Sequence, residues 1–262
     1  MFFLGYYEGN GIYDYLDRCE NQKNFYRTGR TLWLLAYGNR DLEPVILTVA
    51  SANPLDVPPT PAERAAVHAA GQIADGSGLP VSFIRFDPGR PLRQAGYWER
   101  GMREIPVVSA AFLKDRFHRL GLEMNEMTAH KEINDKSSGA YHEWQRAHMG
   151  DAVTVADIDL LWYADKKPAE IIELKRSYIE LEQWQPYRQD YKNFILLSKL
   201  AGRCGLRFYI VYNRRTKTPF YDDISRLKIF RFDHRCDPCC QFLGYCLIGE
   251  FVQGQRDGNR DG

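Results

Sequence analysis

Residues 157–177 read DIDLLWYADKKPAEIIELKRS, two apolar runs joined by a short polar turn, with Asp157 and Asp159 inside the first and Glu173 and Lys175 inside the second. Charged groups within strand-like sequence are costly unless they are paired or hold a metal. This stretch therefore demands a fold in which two neighbouring strands turn their charges into a common cleft. Residues two apart share a face of a strand, so Asp157 and Asp159 are expected to point one way with Ile158 and Leu160 opposite. Glu173 and Lys175 are likewise expected together, with Ile172 and Leu174 packing behind them. Paired as a hairpin, the two runs would bring Asp159 and Glu173 beside the Lys175 ammonium. Two hard oxygen ligands and one cation suit Mg²⁺ and a phosphate.

The flanking sequence supplies the rest of an α/β pattern. A short helix is expected from Ile12 to Glu20, and the runs RTLWLLAYG, EPVILTVAS and LPVSFIRFDP are rich enough in β-branched and aromatic residues to read as strands. Thr60, Pro61 and Glu63 form a capping-box sequence that opens a helix, which Gly76 and Gly78 close. SAAFLKDRFHRLG and SSGAYHEWQRAHMG read as two more helices, stopped at Gly121 and Gly150 and separated by a polar stretch rich in Lys, Asn and Ser. Strands follow over Val153 to Tyr163 and Ala169 to Lys175. Pro186 can open a helix with apolar positions Tyr187, Tyr191, Phe194, Ile195 and Ala201, and LRFYIVYN is a further strand.

The order helix, strand, strand, helix, strand around an Asp…Glu-x-Lys sequence resembles the PD-(D/E)xK nuclease superfamily of restriction enzymes, Holliday-junction resolvases and RecB-type exonucleases. The resemblance spans roughly Ser137 to Asn213, and Ala156 stands where the proline of the family's name would be. It implies a mixed central β-sheet flanked by helices, a restriction-endonuclease-like core over residues 106–252 of an α+β chain; the pattern of strands and helix before it reads as a separate α+β lobe over 1–105 that meets substrate or partner. It also implies Asp159 and Glu173 as Mg²⁺ ligands, with Mn²⁺ as a substitute, joined by the Leu174 backbone carbonyl and with Asp157 as a further candidate. Lys175 becomes the catalytic lysine. An acid or histidine on the preceding helix is expected at Glu143 or His142. The glutamine and tyrosine that follow the lysine in RecB-like members are matched by Gln183 and Tyr187, or else by Gln189 and Tyr191. The implied activity is Mg²⁺-dependent hydrolysis of DNA phosphodiesters, with DNA as partner and a protein partner or homodimer beside it. A competent site held silent until a partner arrives is a variant of this reading.

The sequence HRCDPCCQFLGYC carries His234, Cys236, Cys239, Cys240 and Cys246. A CxxC turn can seat two corners of a zinc tetrahedron, with His234 or Cys246 completing it. RecB-type nucleases with an iron–sulfur cluster suggest Cys19, Cys236, Cys239 and Cys246 as an alternative set, and reduced structural thiols are the third reading. A rival function follows: a non-catalytic nucleic-acid- or protein-binding module whose working part is this cysteine segment.

Lys plus Arg number 35 and Asp plus Glu 34, so the net charge of +1 does not advertise a nucleic-acid surface, and any basic patch is local. No run approaches the roughly 20 apolar residues that cross a bilayer. The start MFFLGYYEGNG lacks a basic region and reaches Glu8 early, so a cytoplasmic chain without membrane contact is expected. The polar, glycine-rich residues 253–262 are expected to be a disordered tail.

Overall fold

The computed structural model describes residues 10–19, 24–29, 31–124 and 139–256. The polar stretch between the two expected helices lies mostly outside them, as do the last six residues of the expected tail. In chain order the elements are α1 (Gly11–Leu16), β1 (Phe25–Tyr26), β2 (Leu32–Gly38), β3 (Pro44–Ala52), α2 (Pro61–Ser77), β4 (Val81–Phe86), β5 (Gln94–Glu99), β6 (Val107–Ser109) and α3 (Ala110–Arg119). They continue as α4 (Ala140–Met149), β7 (Thr154–Asp157), β8 (Leu160–Ala164), β9 (Lys167–Ser177), α5 (Tyr191–Cys204), β10 (Arg207–Lys217), β11 (Phe220–Phe232), β12 (Cys240–Leu247) and α6 (Ile248–Val252).

The class is mixed α/β, as expected, and among the described residues the strands form two mixed six-stranded sheets flanked by helices. The chain divides into two interleaved units: one comprises Met1–Tyr26, Asp159–Asp190 and Leu206–Gly262, the other Arg27–Ile158 and Tyr191–Gly205.

The first unit holds the sheet β1-β8-β9-β10-β11-β12, in which β9 and β10 run parallel and all other neighbours antiparallel. The β8–β9 hairpin turns through Asp165 and Lys166, both at positive φ (51° and 63°), the backbone twist that a two-residue loop needs to match its strands. Behind the sheet, Ile12, Leu16, Leu160, Ile172, Tyr209, Val211, Leu227, Ile229 and Phe251 form the core. Helix α1 approaches β11 so closely that a Cβ on Gly11 would stand 2.8 Å from the Asp222 Cβ. The Gly11 N–H donates to the Asp222 carboxylate at 3.0 Å, and Arg176 and Arg215 pair with the same group. The expected tail begins as packed structure: Arg256 is buried, 2.9 Å from the buried Glu170, its guanidinium over the rings of Phe25, Trp162 and Phe251.

The second unit holds the sheet β6-β5-β4-β3-β2-β7, with α2 as the crossover between the parallel strands β3 and β4. Strands β2 and β3 are buried on both faces, as strands covered on both sides are. Leu35 and Tyr37 pack with Phe117 of α3 and Tyr141 and Trp144 of α4, while α2 and α5 pack on the sheet as well. The capping box is present, with the Thr60 side chain accepting from the Glu63 N–H and Gly78 ending α2 at φ 67°.

Candidate active site

The expected strand over Val153 to Tyr163 is interrupted. Ile158 ends the second unit, donating its N–H to the Leu34 carbonyl at 2.8 Å, and Asp159 begins the first unit, its carbonyl accepting from the Tyr13 hydroxyl at 3.0 Å. Strand β7 therefore pairs with β2 of one sheet and β8 with β9 of the other. Asp157 stands exposed opposite Leu35 on β7, and the expectation that it shares a strand face with Asp159 is corrected: the two residues belong to different strands in different sheets.

The interruption makes the site of the first unit. On its β8 side, strand β9 is paired only as far as Ile172, opposite Leu160, whereas on its β10 side pairing continues to Ser177. Glu173 and the residues after it thus extend beyond the end of β8. The Asp159 carboxylate fills the first vacated position, its Oδ2 accepting from the Leu174 N–H at 2.8 Å. The N–H and C=O of one strand residue point to the same edge, so the Leu174 carbonyl also lies on the Asp159 side. Glu173 and Lys175 share the face opposite Ile172 and Leu174, and Ile172 and Leu174 pack with the core.

Lys175 Nζ is 2.9 Å from Glu173 Oε1 and 3.4 Å from Asp190 Oδ2. The side chains of Glu173, Lys175 and Asp190 retain 12%, 24% and 27% of their exposure, enough burial to strengthen their mutual attraction while leaving the group open to solvent. Burial alone would favour the neutral amine of Lys175. The charge and hydrogen bond of Glu173, then the charges of Asp190 and Asp159, outweigh it and hold the pKa above the ordinary lysine value.

Asp159, Glu173, Leu174 and Lys175 are therefore brought together, and Asp190 joins them unforeseen. Glu143 lies exposed on α4 of the second unit, and His142 beside it packs edge-on against Trp33 at 4.9 Å between ring centres. The expected helix opening at Pro186 is corrected. Residues 184–187 lie in no helix or strand, Arg188–Asp190 form one 3₁₀ turn, and α5 starts at Tyr191. The carbonyls of Glu182 and Trp184 accept from Lys228 Nζ, both at 2.8 Å, and Trp184 stacks on Tyr212 at 4.2 Å, which fixes this segment outside a helix. Gln183 and Gln189 are exposed, and Tyr187 meets Trp184 edge-on.

The cysteines of the C-terminal segment lie in two places. Cys246 is buried on β12 opposite Leu227, whereas Cys236 and Cys239 lie in the turn before that strand. Six residues, all in β12, lie between Cys239 and Cys246, which at strand rise sets the two about 20 Å apart. Burial pushes the thiols of Cys240 and Cys246 up to about 12, against the thiolate form that binds metal. Among the described residues no three His, Cys, Asp or Glu side chains are gathered to hold a metal ion. Mg²⁺ is commonly held by one or two carboxylates with water completing its shell. The donors at β9, two carboxylates and a backbone carbonyl, are all hard oxygen and suit it.

No helix among the described residues is long and apolar enough to cross a membrane. No family model matches the chain, and no curated protein or solved structure matches it.

Proposed function

We propose that the chain is a Mg²⁺-dependent nuclease that hydrolyses DNA phosphodiester bonds at the overhanging end of β9, in the manner of the PD-(D/E)xK superfamily. The observation that carries this reading is the seating of Asp159 on the Leu174 N–H, which sets Asp159 beside Glu173 and Lys175 just before β8 begins. Asp159, Glu173 and the Leu174 carbonyl would hold the ion. When bound, Mg²⁺ supplies Lewis-acid polarisation of a phosphate and acidifies a water. Lys175 has three donors on its ammonium and can orient the attacking water while placing positive charge beside the phosphate as negative charge develops on it. Water adds at phosphorus, the bond from phosphorus to the leaving oxygen breaks, and the proton goes to the leaving oxygen. Tyr13 keeps the Asp159 backbone in place from α1.

The direct Lys175–Glu173 pair also supports a second reading, in which the acids serve only to neutralise a half-buried lysine of a nucleic-acid- or protein-binding module. Manganese binding separates the two. A Mn²⁺ titration followed by electron paramagnetic resonance should show a site in the wild type that Asp159→Ala and Glu173→Ala weaken. Equal Mn²⁺ binding in all three proteins favours the binding module.

A further inference from the structure

The second unit holds a cavity of about 470 Å³ that has no part in the proposed hydrolysis, within the size range of small-molecule sites. Its floor is aromatic. Phe83 of β4 and Trp98 of β5 are register partners across an antiparallel pair, so their rings stand side by side on one face of the sheet. Phe83 is buried and Trp98 half-buried, and the Trp98 indole N–H donates to the Met102 carbonyl at 2.8 Å, which fixes the ring. Along β5, Gly96 has no side chain to fill the space, and Ile105 closes that end with its Cγ2 3.2 Å from where a Cβ on Gly96 would stand. Val67 supplies an apolar wall from α2.

The rim is basic. Arg64 and His68, one turn apart on α2, and Arg103 from the loop after β5 line the opening and are exposed, and none of the three is in an ion pair among the described residues. Arg64 donates one N–H to the carbonyl of Pro59, itself part of the lining, which holds the guanidinium at the mouth and leaves other donors of its fork for a ligand. The Glu63 carboxylate in the lining is committed to Arg85, Ser51, Asn53 and the Thr60 N–H, so it does not neutralise the rim. An apolar slot beneath unneutralised guanidinium groups suits a flat ring that carries an anion. Two permanent positive charges and an imidazole exceed what a single carboxylate asks for. A phosphate monoester brings close to two negative charges at pH 7 and three strong acceptor oxygens, whose geometry the arginine fork matches.

We propose that this cavity binds a nucleoside 5′-monophosphate, with the base against Phe83 and Trp98 and the phosphate on Arg64, Arg103 and His68. A nucleotide has both parts the cavity asks for: a heteroaromatic ring that stacks on aromatic side chains, and a phosphate one sugar away from it. The site is built from residues 59–105 alone, so it stands or falls separately from the nuclease reading of the first unit.

The test is titration calorimetry on the full chain, with the common nucleoside 5′-monophosphates, the matching nucleosides, inorganic phosphate and benzoate as probes. At least one monophosphate should bind with a Kd below about 1 mM, and its nucleoside, inorganic phosphate and benzoate should each bind at least about tenfold more weakly. Arg64→Gln and Arg103→Gln change exposed side chains. Each should weaken the monophosphate about tenfold, the scale of a lost charge-assisted hydrogen bond, and leave the nucleoside unaffected. Val67→Trp, which fills the apolar slot, should abolish binding of the monophosphate. Lys175→Ala, in the first unit, should bind it as the wild type does. The proposal is overturned if no monophosphate binds below about 1 mM, or if inorganic phosphate or benzoate binds as tightly as the best of them. Binding that survives both arginine substitutions, or that Lys175→Ala abolishes, puts the ligand elsewhere and overturns it equally.

Discussion

Replacing Glu63 with Gln should destabilise the second unit by about 3 kcal/mol at pH 7, and the size of the loss should depend on pH. The Glu63 side chain is buried against an equally buried Arg85, with Oε2 2.6 Å from Arg85 Nη2 and Oε1 3.0 Å from Nε. It also accepts from the Ser51 hydroxyl at 2.6 Å, the Asn53 amide at 3.2 Å and the Thr60 N–H at 2.6 Å. Glutamine keeps the volume but removes the charge and turns an N–H₂ group toward donors, leaving the guanidinium uncompensated, a change worth about 3–5 kcal/mol for a buried pair. Burial opposes ionisation of Glu63, but the bonds from Arg85, Ser51, Thr60 and Asn53 outweigh it and bring its pKa down to about 2 from 4.5. At about 1.4 kcal/mol per unit this is roughly 3 kcal/mol, in agreement with the first figure. Because the folded value is depressed, the contribution is complete above the unfolded value and is lost as pH falls from about 4.5 through about 2. Urea unfolding of both proteins at pH 7 and pH 3, followed at the fluorescence of Trp33, Trp98 and Trp144 in a background lacking Trp162 and Trp184, reads the difference. The gap should shrink to about 1 kcal/mol at pH 3. A gap that is the same at both pH values, or below about 1 kcal/mol at pH 7, refutes the ionic account of this pair.

Thiol labelling at pH 8 should modify the exposed Cys236 rapidly and the buried Cys246 only on unfolding, since burial holds the latter's thiol up to about 12; mass spectrometry showing early modification of Cys246 contradicts its place in the core. Arg256→Ala should destabilise the first unit by about 3 kcal/mol in denaturant midpoint experiments read at Trp162, because it breaks a buried ion pair with Glu170 and empties the space between Phe25, Trp162 and Phe251. An unchanged midpoint would mean that Arg207, 2.6 Å from Glu170, suffices alone.

The parts of the fold legible in the sequence are those whose local chemistry agrees with their tertiary role. Strands β2, β3, β4 and β10 are runs of β-branched and aromatic residues, and α2 announces itself through Thr60, Pro61 and Glu63. Strand β11 was missed because its apolar pattern is broken by charges that are satisfied at a distance. Asp222 is held by Arg176, Arg215 and the Gly11 N–H, and Lys228 by two carbonyls of the Glu182–Trp184 segment. The switch of sheets between Asp157 and Asp159 leaves no trace in hydrophobicity, since Ala156, Ile158 and Leu160 stay buried in unbroken alternation across it. For the same reason Asp159, Glu173 and Lys175 could be read from spacing within a hairpin. Asp190 could not, because it reaches Lys175 through an irregular segment with no periodicity to betray it.

The most direct test of the account is cleavage itself. Wild type, Asp159→Ala, Glu173→Ala and Lys175→Ala, purified identically, are incubated with linear duplex, supercoiled, single-stranded and branched DNA in Mg²⁺, in Ca²⁺ and in chelator. The account predicts that the wild type cuts at least one form in Mg²⁺ with little turnover in Ca²⁺, and that each substitution lowers the rate by at least about a hundredfold, the scale of losing a preorganised group that stabilises developing charge. Residual cleavage that is equal in wild type and Lys175→Ala on all four DNAs would contradict it.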